Sequence, residues 1–258
     1  MLNVKNIELE WMLSSLKGSG FLRRTPFEGY CVSNYSGNYI YSLNLEDNDV
    51  LQSVLNVEEW LIKNKISNAV FAVMSNYTNR EFDLCNVLEG LDYNISRKSA
   101  RMFFNPNVSF GEFRAKIDFQ IKEVSNLKNN YIDCFSKVFS EGINRASEEY
   151  IRMLESLELS SKHRAFVMYD NQRPIGTISL SLNDEVNIIG DVGIIEEYRG
   201  NGLGYKLMEF IVELNSKIGQ GRSLALSTGI NNTGLDYRKF YKACGFETQY
   251  ILSRYVKK

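Results

Sequence analysis

Residues 113–121, FRAKIDFQI, alternate without a break, with Phe113, Ala115, Ile117, Phe119 and Ile121 on one face and Arg114, Lys116, Asp118 and Gln120 on the other. Successive strand side chains point to opposite faces, so this period of two predicts a half-buried strand that opens the second half of the chain. Two helical stretches follow, roughly 126–140 and 147–157. RAFVMYD and RPIGTISLSL then read as two strands joined across Asp170 and Asn171, a hairpin-like turn pair. NIIGDVGII, 187–195, is apolar on both faces, which predicts a central strand. At Leu203 the period changes: Leu203, Leu207, Phe210, Ile211 and Leu214 form one helical stripe. RSLALSTGI is a strand, LDYRKFYKAC a helix ended by Gly245, and FETQYILSRYV the last strand.

The first half carries a fainter version of the same order. VEEWLIKNKI predicts a helix, NAVFAVM a strand, NREFDLCNVLEGLDY a helix and turn, and NISRKSARMFF a strand. Setting Tyr93 against Phe246 puts Leu88 opposite Tyr241 and Asp92 opposite Gly245. The helix of the first half is preceded by NLEDNDVLQSV, which contains no glycine, whereas the helix from Leu203 is preceded by EYRGNG. The expected organisation is therefore two related α/β domains with mixed sheets, residues 1–111 a degenerate copy and residues 112–258 the copy that carries function.

Composition narrows the partners. Thirty Lys plus Arg against 31 Asp plus Glu give a net charge of −1, with no polyanion footprint, so nucleic acid and acidic membrane are not expected partners. Cys31, Cys85, Cys134 and Cys244 lie far apart with no C-x-x-C pair, and the opening MLNVKNIELEWMLSS lacks the basic and apolar blocks of a signal peptide. The longest apolar runs, such as AVFAVM, fall short of a membrane span. A cytoplasmic protein is the expectation; no metal site is expected, and a homodimer is left open.

The candidate chemistry sits in EYRGNGLGYKLMEF, 197–210. A strand that passes through a glycine-rich turn into a helix presents unpaired backbone N–H groups at the positive end of the helix dipole. Gly202 and Gly204 would let phosphate oxygens reach those amides where a β-carbon would intrude. The stretch is neither a dinucleotide G-x-G-x-x-G, since Leu207 stands where the third glycine would fall, nor a G-K-[ST] P-loop.

Arg199, Gly200, Asn201, Gly202, Leu203 and Gly204 give the order Arg-x-x-Gly-x-Gly, which resembles the acyl-coenzyme A loop of the GNAT N-acetyltransferase superfamily. FYKACGF, 240–246, is similar to a second signature of that family, and one helix and one strand separate the two, as the family order requires. The resemblance covers about residues 113–258. It implies a GNAT acyltransferase fold that uses acetyl-CoA as co-substrate to acylate a primary amine of a small molecule or peptide. By the same resemblance, amides of Gly200, Asn201, Gly202, Leu203, Gly204 and Tyr205, with Arg199, would hold the pyrophosphate. The backbone of Val192, Gly193 and Ile194 would pair with the pantetheine arm like an added strand, and Tyr241 would protonate the departing thiolate; Asn231 and Asn232 are close enough to cap the helix of that tyrosine or to touch the arm.

The sequence also departs from the family pattern. Positions where members often carry the base that deprotonates the amine are Ile188, Gly190 and Gly229, and an Asn common before the tyrosine is Gly234. A water relay to Asp191, Glu196 or Glu197 and direct attack by a neutral amine both remain open. The missing base keeps a second reading, a non-catalytic acyl-CoA-binding module, beside the enzyme. A third, a tandem transferase that takes aminoacyl-tRNA, fits the balanced charge poorly. His163 in SSKHR reads as a solvated loop residue and Cys244 as packing. Thr177, Ser179 and Ser181 form one polar strand face, either lining an acceptor groove or simply exposed.

Overall fold

Eleven strands and six α-helices form among the described residues of the computed structural model, which are 21–26, 29–34, 37–41, 43, 45, 49–75, 79–108, 110–128, 130–140, 146–156, 159–230 and 236–258. In the first half, β1 (Phe21–Arg24), β2 (Tyr30–Asn34) and β3 (Gly37–Tyr41) are antiparallel in turn, and α1 (Val50–Lys63) carries the chain to β4 (Ala69–Ser75), parallel to β3. Asp49 starts α1 by accepting the Gln52 N–H at 2.9 Å, one of the donors that a helix end leaves without a partner. Then follow α2 (Asn79–Gly90) and β5 (Tyr93–Phe104). Val54, Val57 and Leu61 of α1 bury against Phe71 and Val73 of β4 and Leu88 of α2, the stripe-on-sheet packing that a helical period of apolar residues demands.

The second half repeats the plan. After β6 (Gln120–Glu123) come α3 (Asn130–Val138), α4 (Glu148–Ser156), β7 (His163–Asp170), β8 (Arg173–Ser181) and β9 (Val186–Ile194). Strands β6 to β9 are antiparallel in turn, α5 (Leu203–Ile218) crosses to β10 (Ser223–Ile230), parallel to β9, and α6 (Arg238–Ala243) leads to β11 (Phe246–Lys257). Both halves thus run antiparallel strands, helix, parallel strand, helix, and a final strand of 12 residues. The turn into that final strand uses a left-handed residue at the same place in each: Asp92 with φ 63° and Gly245 with φ 81°. This fold is mixed α/β.

The chain packs as two compact units that do not follow its linear order, because β11 from Thr248 onward belongs with the N-terminal unit and Met102–Phe104 of β5 with the C-terminal one. Within the N-terminal unit the strand order is β1-β2-β3-β4-β11-β5. Ile251 to Val256 of β11 pair antiparallel with Ser75 to Val70 of β4. Within the C-terminal unit β10-β9-β8-β7-β6 lie side by side, and the chain leaving β5 is tied there by the Asn105 N–H donating to Gly245 O at 2.9 Å.

Residues 113–119 do not form the strand that their alternation predicts; only Gln120–Glu123 pairs, with β7. The odd positions are still the less exposed ones, but what they meet is a turn and a helix start. Phe113 stacks on Tyr205 at 3.4 Å between ring centroids, and the Lys116 N–H donates to Asn201 O at 3.1 Å. A period of two reports one-sided burial, and a ladder forms only where a strand edge is available to pair.

Asn187 locks α5 to β9 from inside the core. Fully buried, it accepts the Asn183 N–H at 3.1 Å and donates through Nδ2 to Asn215 Oδ1 at 2.8 Å and Gly219 O at 3.2 Å. Asn187→Ala removes all three bonds and leaves the buried Gly219 O without this donor, at a cost of about 1–3 kcal/mol. The expected result is a clearly lower thermal midpoint by calorimetry.

Candidate active site

Pairing between β9 and β10 runs from Val186 and Ser223 to Ile189 and Leu226 and stops there, although β9 continues to Ile194. On its other side β9 stays paired with β8 through Ile194. Residues 190–194 therefore present one strand edge that β10 does not use, and backbone donors and acceptors on such an edge require another partner. The register with β8 shifts here: Thr177 faces Gly193 and Ser179 faces Gly190, so Asp191 and Val192 together oppose Ile178 in a bulge. Val192 and Gly193 are half-buried and Ile194 buried. A Cβ on Gly193 would lie 2.1 Å from Val138 Cγ1, so the glycine is what lets α3 close onto the strand.

The chain leaves β9 through a short 3-10 turn, Glu196–Tyr198, and enters α5 through two left-handed glycines, Gly200 and Gly202, both with φ 77°. Gly202 is the N-cap of α5 and brings no side chain to it, so the first-turn amides are left to another acceptor. A Cβ on Gly202 would come 2.7 Å from Arg114 O, one on Gly204 would come 3.3 Å from Phe240 Cζ, and one on Gly200 would meet nothing within 4 Å. Two of the three glycines thus allow close approach, and Gly200 supplies a turn. Tyr205 lies between the Phe113 ring and Phe240, 4.9 Å away, which joins α6 to the start of α5.

Side chains of the turn brace it. Arg199 Nε donates to Ile194 O at 3.0 Å and Nη2 to Val138 O at 3.4 Å; Asn201 Nδ2 donates to Tyr198 O at 3.1 Å. Lys206 is paired with Glu209 at 2.7 Å. Tyr241, on α6, packs edge-on against Phe240 at 5.0 Å, and among the described residues its hydroxyl has no hydrogen-bond partner. Burial raises its pKa, so at neutral pH it is a protonated phenol able to donate. Asn232 lies outside the described residues.

Of the positions that sequence reasoning left open as bases, Glu196 and Glu197 are exposed, with Glu197 paired to Arg173. Ile188 is buried, and a Cβ on Gly190 would lie 2.8 Å from Ser179 Oγ, so a side chain there would displace that hydroxyl. Asp191 is different. Its Oδ1 accepts from Tyr150 OH at 2.7 Å, and its Oδ2 from Tyr131 OH at 2.9 Å and Ser179 Oγ at 3.2 Å. The polar face of β8 is not exposed: Thr177, Ser179 and Ser181 are buried, Thr177 Oγ1 donates to Asp191 O, and Ser179 Oγ donates to Asp191 Oδ2. The signal for this cluster is an aspartate in an otherwise apolar run beside the polar face of the preceding strand, Thr177, Ser179 and Ser181. His163 is not a solvated loop residue; it begins β7, half-buried, with Nδ1 2.8 Å from Ser181 Oγ. Cys244 is fully buried and its thiol is pushed up to about 12 by burial, in keeping with packing.

Antiparallel strands thus lead into a parallel pair that separates, with a glycine turn at the separation opening a helix. Residues 125–246 match the sequence model described as the acetyltransferase (GNAT) family. The chain is similar in structure to a GCN5-related N-acetyltransferase from Kribbella flavida, with a TM-score of 0.69 and 11% identity over 98% of this chain and 94% of the other. It is also similar to a GCN5-related N-acetyltransferase from Sphaerobacter thermophilus, with a TM-score of 0.64, 14% identity, and 89% and 76% covered. A tandem GNAT protein from the clavulanic acid biosynthesis pathway aligns with a TM-score of 0.64 and 12% identity over 88% of this chain and 78% of the other. At these identities the likeness is one of fold. No curated protein sequence matches the chain. Among the described residues no helix is long and apolar enough to cross a membrane.

Proposed function

We propose that the protein transfers an acetyl group from acetyl-CoA to a primary amine of a small molecule or peptide in the cytoplasm, with the C-terminal copy as the active one. The observation that carries this reading is the unpaired edge of β9 ending at the glycine turn: an extended, amide-bearing arm fits the first and a diphosphate fits the second. In this reading Val192, Gly193 and Ile194 bond the arm, with Asn232 touching it further along, and the amides from Gly200 to Tyr205 bond the diphosphate. Arg199 holds their geometry through the bonds to Ile194 O and Val138 O. In this reading the N-terminal half, which has the same element order, is the degenerate copy, because the sequence before α1 contains no glycine.

The bound thioester supplies an activated acetyl carbon. The chain's own part is to hold that carbon against the amine, which converts a bimolecular encounter into a local one, and to provide a proton to the leaving group. Tyr241 is suited to the second task because its hydroxyl is protonated and, among the described residues, has no hydrogen-bond partner. A thiol with a pKa near ~8.5 leaves well without help, so Tyr241→Phe is expected to lower kcat only about tenfold with KM for acetyl-CoA little changed. Thiol release from acetyl-CoA, measured across a panel of amines in wild type and Tyr241→Phe, tests the reading. Release with an amine and its partial loss in the variant support it; coenzyme A binding without release for any amine would instead identify a non-catalytic binding module.

A further inference from the structure

Asp191 has φ 54° in the middle of β9, a conformation that residues with side chains rarely adopt. A residue outside the β region interrupts a ladder, and the pairing with β10 ends just before it, at Ile189 and Leu226. Such a conformation persists only where the surroundings over-determine it. Here they do so through side chains. Oδ1 of Asp191 accepts from Tyr150 OH on α4, and Oδ2 accepts from Tyr131 OH on α3 and Ser179 Oγ on β8. The main-chain carbonyl of the same residue accepts from Thr177 Oγ1 at 2.8 Å. Tyr131, Ser179 and Thr177 are buried, so each would lose a bond that water does not readily replace. Glycine would take φ 54° without strain; what these bonds require of residue 191 is its side chain. The three hydroxyls fill most of the about four acceptor positions of a carboxylate, and among the described residues no Lys or Arg pairs with it. Burial raises its pKa in spite of the three donors. The cluster is thus held by hydroxyl bonds to a pair of oxygens and not by an ion pair.

We infer that Asp191 is a positioning residue for the cofactor edge: with Tyr131, Tyr150, Thr177 and Ser179 it pins the bulge to α3, α4 and β8 and so keeps residues 192–194 off β10. The inference rests on the acyl-transfer reading and deepens it. It gives Asp191 the task of preforming the edge that bonds the pantetheine arm, and not that of deprotonating the amine. An edge that is fixed before the ligand arrives has less to order on binding. Loosening the bulge therefore weakens coenzyme A binding, and turnover falls with it. Side chains at position 191 differ in how well they can hold the bulge. Asparagine keeps an acceptor oxygen and tolerates the left-handed region, and hydroxyls beside its amide N–H groups can rotate to accept from them. Alanine offers no acceptor and resists positive φ.

The test is calorimetric titration of the full chain with coenzyme A, with a melting curve for each variant and thiol release from acetyl-CoA with an amine that the wild type uses. Asp191→Ala is expected to weaken coenzyme A binding about tenfold or more, and Asp191→Asn to recover most of that loss, with turnover following binding in both. Thr177→Val removes the hydroxyl that bonds the Asp191 carbonyl while nearly keeping its shape. It is expected to weaken binding several-fold and Thr177→Ser to restore it, a pair that decides the matter if Asp191→Ala does not fold. Coenzyme A bound equally well by wild type, Asp191→Ala and Thr177→Val overturns the assignment. Equal weakening in Asp191→Ala and Asp191→Asn also overturns it, because binding would then depend on the charge and not on the bonds. A loss of turnover of about 100-fold or more in Asp191→Asn with coenzyme A binding kept overturns it in favour of a proton-accepting role. In each of these cases the wild type binds coenzyme A and the acyl-CoA reading stands; a folded wild type that does not bind it refutes both.

Discussion

Gly202→Glu is expected to abolish coenzyme A binding, and Gly200→Asn to leave it within a few-fold of wild type. Both glycines have φ 77°, but only Gly202 has a backbone against it, Arg114 O at 2.7 Å from where its Cβ would be. A side chain at Gly202 costs about 1–2 kcal/mol in left-handed strain, drives against the 113–116 segment, and, as glutamate, places negative charge where the diphosphate would sit. Asparagine tolerates the left-handed region and at Gly200 enters open space. Calorimetric titration with coenzyme A is expected to show a loss of at least about 100-fold at Gly202, equivalent to about 2.7 kcal/mol. A melting curve run alongside separates lost binding from lost fold.

Gly193→Val is expected to be the most damaging single change to the architecture of the site. With its Cβ at 2.1 Å from Val138 Cγ1, the new side chain cannot share the space, and Val138, β-branched and near-rigid at χ1, has no easy rotamer to yield. Overpacking of this kind costs about 1–3 kcal/mol. Here it also pushes α3 from β9 at the edge proposed to bond the pantetheine arm, so coenzyme A binding and amine turnover should fall more than stability does. Combining Gly193→Ala with Val138→Ala should recover part of both. A double-mutant cycle read by thermal melts and by kcat/KM is expected to show coupling of about 0.5–3 kcal/mol; strict additivity would mean that the two residues do not press on each other.

The glycine turn, the helix from Leu203, and the strands and helices from 126 onward are legible in the sequence because each carries an uninterrupted period or a residue that only one conformation suits. Asp92 and Gly245, which the sequence comparison sets opposite each other, both have positive φ ahead of a 12-residue strand. Strands β1 to β3 are not legible. They are four or five residues long, and polar and aromatic positions mix within them, too few to establish a period. Nor does any local pattern mark the pairing of β11 with β4: Ile251 to Val256 and Val70 to Ser75 lie far apart in the chain, and strand partners leave no trace in each other's period.

The site divides the same way. The turn and Tyr241 belong to motifs with fixed spacing and can be read directly. The Asp191 cluster draws on α3, α4, β8 and β9, and only the folded register brings Tyr131 and Tyr150 to one carboxylate. Alternation at 113–119 does report one-sided burial, but not what does the burying, which is Tyr205 and the glycine turn and not a strand.

The central claim is that bare main-chain amides at the start of α5 grip the diphosphate of coenzyme A. Backbone amide chemical-shift mapping of the folded protein during a coenzyme A titration tests it most directly. Saturable shifts are expected, largest at Gly200 to Tyr205, with a second group at Val192 to Ile194. A folded protein whose amides do not move, or whose shifts gather away from that turn, would contradict it.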